Sequence, residues 1–164
     1  MAKSIQLFGL CTVRTGSGAA NALEDFGYTV NGANITFDAY WLDVKGDENG
    51  GDPGPPIDIQ YMGETARVRL EMNKWDEAVE DKIQRLKAAV LGQPGTAGTL
   101  VFAGSKFFRL LLDNANHARV FNFPLAVLRD AKEINAGTRH QVLRCDFVCY
   151  KNPDTGILWD RTYS

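Results

Sequence analysis

A chain of 164 residues is long enough to form one domain with a substantial core. Its 45% hydrophobic and 23% charged residues are ordinary for a globular protein, and no apolar run reaches the length of a membrane-spanning helix. With 18 Lys+Arg against 20 Asp+Glu, the formal charge of -2 excludes the basic excess of a dedicated nucleic-acid grip, though not DNA that passes nearby without being held.

The opening "MAKSIQLFGL" has no long apolar segment with a small-residue cleavage site, so synthesis in the cytoplasm without export is the expectation, and no membrane partner. Ile5 to Val13 reads as one strand, with Ile5, Leu7, Cys11 and Val13 on a single face. "GSGAAN", Gly16 to Asn21, follows it like a phosphate loop. It lacks the Lys-Ser/Thr of a P-loop, the third Gly of a dinucleotide fingerprint and a βαβ unit, so it reads as a turn. Ile35 to Leu42 is a clear strand, with Ile35, Phe37, Ala39 and Trp41 alternating against Thr36, Asp38 and Tyr40.

Asp43 to Pro56, "DVKGDENGGDPGPP", is rich in Gly and Pro and has no apolar period, so a long loop is expected. Long ordered loops in compact domains tend to be functional. Its acids Asp43, Asp47, Glu48 and Asp52 lack EF-hand spacing and flanking helices, so no metal site is assigned. Two strands follow, Ile57 to Tyr61 and Thr65 to Met72, with Met62-Gly63-Glu64 as the turn between them. In the second, Ala66, Val68, Leu70 and Met72 point one way, and Thr65, Arg67, Arg69 and Glu71 the other.

A helix over about 74–91 is predicted next, with Asn73 as N-cap, Asp76 and Glu77 in the first turn and Gly92 as C-cap. Trp75, Val79, Ile83, Leu86 and Val90 form its apolar stripe, which must lie against a sheet. Thr99 to Ala103 and Lys106 to Leu112 read as strands, Asp113 to Asn116 as a turn, and Arg119 to Phe123 as the returning strand of a hairpin. Leu125 to Leu128, Arg139 to Tyr150 and Ile157 to Trp159 complete the pattern, with "KNPDTG" as a turn. About eight to ten strands and one helix over residues 1–164 predict a mainly β fold, an antiparallel β-sandwich or barrel with one packed α-helix.

The three cysteines, Cys11, Cys145 and Cys149, form no disulfide framework and read as buried free thiols, with Cys145 facing the core beside Leu143 and Phe147. His117 and His140 have no ligand-spaced partner. No nucleophile elbow is present, although a triad assembles in space and leaves no mark of its own. No catalytic residue, metal or cofactor is assigned.

Two features point to surfaces instead. "KFFRLLLDNANHARVFNF" is apolar on both faces: Phe108, Leu110 and Leu112 can fill a core, which leaves Phe107 and Leu111, and with them Phe121 and Phe123, on the other side. Either the helix covers that side or a partner does. The long loop, with Asp43, Lys45, Asp47, Glu48, Asp52 and Pro53, is placed to reach a neighbouring subunit. A small sandwich with open edges either blunts them or pairs them with copies of itself, and pairing around a ring yields a barrel without edges. Its wet inner wall would take a polar strand face, here mixed in sign: Asp58, Gln60, Arg67, Arg69, Glu71, Arg144 and Asp146.

Three segments carry a family resemblance: "TVNGANITFDAYWLDV", "PIDIQYMGETARVRLEMNKWDEAVEDKIQRL" and "RHQVLRCDFVCYKNPDTGILWDRTYS". In their order along most of the chain they resemble bacteriophage tail tube (major tail) proteins, as pattern more than identity. The resemblance implies stacked hexameric rings whose strands join into one inner β-barrel, a conduit for ejected DNA that is not specifically bound. It implies partners in copies of the same chain and in sheath, terminator or baseplate proteins, a place in the virion tail, and no catalytic residues. Ile57 to Met72 would then build wall and Asn73 to Leu91 would brace it from outside. The family's lumen is commonly acidic, so Arg67 and Arg69 either make inter-ring ion pairs or lie on a strand outside the inner sheet. Rival readings are another ring component (terminator, baseplate or decoration protein) or a ligand-binding sandwich with Trp41 or Tyr40 lining a cleft.

Overall fold

The computed structural model describes residues 3–7, 9–17, 22–46, 54–85, 100–102, 107–114, 119–129, 133–136 and 141–163. In chain order the elements are β1 (Lys3–Leu7), β2 (Cys11–Ser17), β3 (Leu23–Val44), β4 (Asp58–Trp75), α1 (Glu77–Arg85), β5 (Phe108–Asn114), β6 (Arg119–Leu128), β7 (Glu133–Ala136), β8 (Gln141–Cys149) and β9 (Asp160–Tyr163).

Six of these strands close into an antiparallel barrel, in the order β8-β4-β3-β2-β5-β6. β6 returns to β8 through Ala126↔Cys149, Val127↔Val148 and Leu128↔Phe147. That seam is short. Beyond it the two strands part, and β6 takes β9 while β8 takes β7. β1 adds to β3 from Lys3↔Phe37 to Leu7↔Ala33. Of the sandwich and the barrel that the alternation allowed, the barrel is the one formed.

Period-two alternation fills the interior. Leu110 and Leu112 of β5, Val68, Leu70 and Met72 of β4, and Leu143, Cys145 and Phe147 of β8 all face inward and are buried. Burial of each Leu, Val or Phe is worth about 1.5–3 kcal/mol relative to exposure. Phe121 and Phe123 also face this core, which corrects the expectation that they share a side with Phe107 and Leu111. Between Phe108↔Ala126 and Leu110↔Phe123 the register shifts, and Pro124 sits in that irregularity, where a missing N–H is tolerated. Leu158 is buried, and Trp159 packs on Phe37 (5.3 Å between ring centroids) and stacks on Phe121 (6.0 Å). The final strand therefore begins at Asp160 rather than at Ile157.

Several boundaries differ from the sequence expectation. The first strand is two, interrupted at Gly9: β1 pairs with β3 from Lys3↔Phe37 to Leu7↔Ala33, and β2 pairs with another stretch of it, from Thr12↔Tyr28 to Gly16↔Leu23. The helix starts after Asp76, not Asn73, because β4 goes on pairing with β3 as far as Gly27↔Trp75. Asp76 Oδ1 accepts the backbone N–H groups of Ala78 (2.8 Å) and Val79 (3.1 Å), so it is the N-cap. The Asp76 N–H donates to the Phe26 carbonyl, Trp75 Nε1 donates to Glu80, and Lys82 pairs with Glu24 at 2.8 Å. Val79 and Ile83 bury the helix's apolar stripe in the core. Leu100 to Phe102 is not a strand among the described residues; Val101 and Phe102 form a turn. Asp113 and Asn114 end β5 rather than opening a turn.

Candidate functional site

β3 and β4 are the longest strands, and only part of each belongs to the barrel. β4 pairs with β8 from Ala66 to Met72, and β3 pairs with β1 from Ala33 to Phe37. From Asp38↔Thr65 to Val44↔Asp58 the two pair only with each other among the described residues. They form a two-stranded arm reaching about 20 Å past the last barrel rung, at about 3.3 Å per residue. Ile57 closes its described end, donating N–H to the Val44 carbonyl.

The residues expected to make a turn within this region make a bulge. Tyr40 pairs with Gly63 and Trp41 with Tyr61, so Met62 is an extra residue in one continuous strand. Gly63 has φ of 119°, which L side chains rarely adopt. The bulge restores the parity of the faces. Asp58 and Gln60 therefore share a face with Thr65, Arg67, Arg69 and Glu71, and Tyr40 reaches Thr65 Oγ1 at 3.2 Å on that side.

The arm is heavily apolar yet solvated. Trp41 is 60% exposed, Met62 58%, Ile59 55% and Tyr61 51%, with Tyr40, Leu42 and Ile57 similarly bare. Trp41 and Tyr61 meet edge to face at 5.1 Å, which orders this face without covering it. Both outer edges of the arm carry backbone groups with no ladder partner among the described residues.

On the barrel, β4 and β8 carry a face of ion pairs. Arg69 Nε donates to Asp146 Oδ2 at 3.2 Å, Arg67 lies 3.9 Å from Asp146 Oδ1, and Arg144 Nε donates to Glu71 Oε1 at 2.9 Å. Arg69, Glu71, Arg144 and Asp146 line a concavity of about 430 Å³ together with Asn31 and Asn34.

These placements separate the residues marked in the sequence. Arg67, Arg69, Glu71, Arg144 and Asp146 come together, whereas Asp58 and Gln60 lie out on the arm. Asp43 and Lys45 are exposed at the arm's end, Asp43 as a strand residue opposite Ile59 rather than a loop residue. Asp47, Glu48, Asp52, Pro53, both histidines and Gly92 lie outside the described residues. Phe107 and Leu111 are half-buried. Trp41 and Tyr40 occupy opposite faces of the arm, and neither lines the concavity beside Arg69.

Among the described residues no group of three His, Cys, Asp or Glu could hold a metal ion. Burial pushes the Cys149 thiol far up, and it pushes the Cys11 thiol up against opposing hydrogen bonds with Asn114 and Thr29. Both stay protonated at neutral pH and are poor nucleophiles.

No family model and no curated protein matches the chain. Among solved structures it is similar to a chain of the "Virion of native gene transfer agent (GTA) particle", at 8% identity over 94% of this chain and 95% of that chain with a TM-score of 0.46. It is also similar to a chain of the "Tail of empty GTA particle computed with helical refinement, C6 symmetry", at 8% identity over 93% and 94% with a TM-score of 0.47. Both are likenesses of chain path, and no partner or symmetry is carried from them to this chain.

Proposed function

We propose that this chain is a structural, non-enzymatic virion subunit that assembles with copies of itself into the stacked rings of a phage-type tail tube. The observation that carries the reading is the arm. An isolated two-stranded ribbon is marginal in water, and among the described residues this one exposes large apolar side chains on both faces and two unpaired edges. Neighbouring copies that pair along those edges and cover those faces remove both costs, and closure around a ring leaves no free edge. The hexameric ring, the passage of DNA and the contacts with sheath, terminator or baseplate proteins are those that the tail tube resemblance implies. Synthesis in the host cytoplasm and residence in the tail belong to the same reading.

Of the two roles open to the polar face of β4 and β8, contact between copies fits better than the lumen. Three guanidiniums, on Arg67, Arg69 and Arg144, stand there against the carboxylates of Glu71 and Asp146. Guanidiniums standing on a luminal wall would grip a polyanion that a conduit must release.

Electron microscopy and sedimentation velocity on concentrated purified protein test the reading. Long hollow tubes are expected. Isolated rings would favour a terminator or baseplate component, and a strictly monomeric protein at high concentration would overturn the proposal.

A further inference from the structure

Three rungs close the barrel between β6 and β8, against seven between β4 and β8, and no other closure of the barrel is as short among the described residues. The inner side of this seam is ordinary core: Ala126, Phe147 and Cys149 are buried in the interior cluster. By alternation Val127 and Val148, which face each other across the seam, point outward. An outward Val on a barrel meets water unless something covers it. These two are only 8% and 6% exposed, and Leu125, two residues before Val127, is 2% exposed. None of the three belongs to the interior cluster.

The cover is a pair of side chains. Arg129 follows β6 and Tyr150 follows β8, so each is the next outward residue after Val127 or Val148. They are rooted at opposite ends of the seam, about 13 Å apart along it at about 3.3 Å per residue. The Tyr150 N–H donates to the Leu125 carbonyl at 2.9 Å, which holds that end against β6. Arg129 Nη1 donates to Tyr150 Oη at 3.2 Å. A bond between side chains rooted at diagonal ends runs across the outer face, over Val127 and Val148. Phe102 then meets the Tyr150 ring edge to face at 5.1 Å.

We infer that the β6–β8 seam is the line along which this barrel opens short of unfolding, and that the Arg129–Tyr150–Phe102 clasp holds it shut. Parting there breaks fewer ladder bonds than parting elsewhere, and local openings follow the lowest such cost. Each strand also stays paired when the two separate, β6 with β5 and β9, and β8 with β4 and β7. Arg129 is exposed and Phe102 is 48% exposed, so the clasp can let go without disturbing the interior. Opening uncovers Cys149, which is 0% exposed and sits opposite Ala126 in the seam. Cys11, equally buried, lies on β2 between β3 and β5 and stays covered.

The two thiols supply the test. Dilute protein is treated with N-ethylmaleimide under native conditions, and modification of each cysteine is followed by peptide mass spectrometry. A thiol reacts only once it is uncovered, so its rate reports the opening that uncovers it. Cys149 should react roughly tenfold faster than Cys11. Tyr150→Phe keeps the ring and loses the hydroxyl; it should speed Cys149 by about fivefold and leave Cys11 unchanged. Phe102→Ala should speed Cys149 by about two- to tenfold. Arg129→Met should match Tyr150→Phe, and the two together should be no faster than either, because both remove the same bond. If a variant fails to fold, hydrogen exchange in the unaltered protein carries the test: the amides of Ala126 to Leu128 should exchange ahead of those of Val68 to Met72. Equal rates at Cys149 and Cys11, or variants that speed both alike, show opening only by global unfolding and overturn the inference. Cys149 reacting first at a rate that no variant changes overturns the clasp.

Discussion

The two halves of the β3–β4 hairpin obey the same local rules and meet opposite fates. Within the barrel, Ile35 and Val68 face each other across the ladder and are 0% exposed. Farther along the same strands, Trp41 and Tyr61 face each other across the same ladder in open solvent. Backbone geometry and side-chain type hardly change between the two; the number of neighbouring strands does. The barrel half has β1 on one side and β8 on the other, while the arm has neither. Among the described residues the barrel half of the hairpin is covered and the arm is not, and residues can be sorted by the half to which they belong.

The largest effect that sharpens this division is expected in the barrel. Phe147 is fully buried on β8, opposite both Val68 and Leu128. Phe147→Ala should cost about 3–5 kcal/mol of unfolding free energy, read from denaturant midpoints of the monomer. A loss below about 1 kcal/mol would mean the barrel interior is loosely packed and the contrast with the arm is overdrawn.

Trp41→Ala should behave in the opposite manner. The side chain is 60% exposed and meets Tyr61 edge to face, so monomer stability should change by no more than about 0.5 kcal/mol. If Trp41 anchors a contact between copies, assembly should weaken by about 2 kcal/mol, or roughly thirtyfold. Normal assembly with a destabilised monomer would reverse the assignment and make Trp41 a residue of the fold.

The barrel was legible where one partner face decides the pattern. Phe108, Leu110 and Leu112 alternate in sequence and in space, and so do Leu143, Cys145 and Phe147. Val79 and Ile83 marked the buried side of the helix for the same reason. Distant pairings were not legible. Closure depends on Ala126 meeting Cys149, which no local period encodes. Asn73 and Asp76 are both good caps, and β3 chose between them by holding β4 extended to Trp75. Met62-Gly63-Glu64 reads as a turn because a bulge uses the same residue types; only the partner strand distinguishes them. The arm stayed hidden because alternation looks the same whether its apolar face meets a core or a neighbour. A trace remained in Tyr40-Trp41-Leu42, three consecutive large apolar residues, more than one buried face can use.

A third test is specific to the interior. Burial holds the Cys149 thiol protonated well above its ordinary value of 9.0. As pH rises through the unfolded value, the unfolded chain releases that proton while the folded chain keeps it. Stability is therefore fully present below about pH 8 and falls above it, by up to about 1.4 kcal/mol per pH unit from this thiol. Denaturant midpoints between pH 7 and 10 should show the fall, reduced in Cys149→Ala and unchanged when the arm is shortened. The same slope in Cys149→Ala would remove this thiol as its source.

The smallest effect probes the boundary of the division. Asp76 caps α1 through two N–H groups, and α1 lies on the barrel side through Val79 and Ile83. Asp76→Ala should cost about 1 kcal/mol of monomer stability, and Asp76→Asn, which keeps a capping oxygen, distinctly less. Neither should alter assembly beyond what the lost stability accounts for, because the cap serves the barrel and the arm leaves from the far end of β4. An assembly defect in Asp76→Ala as large as that of Trp41→Ala would place the helix in the contact between copies. The two groups of residues would then form one cooperative surface, and the clean separation of barrel from arm would have to be given up.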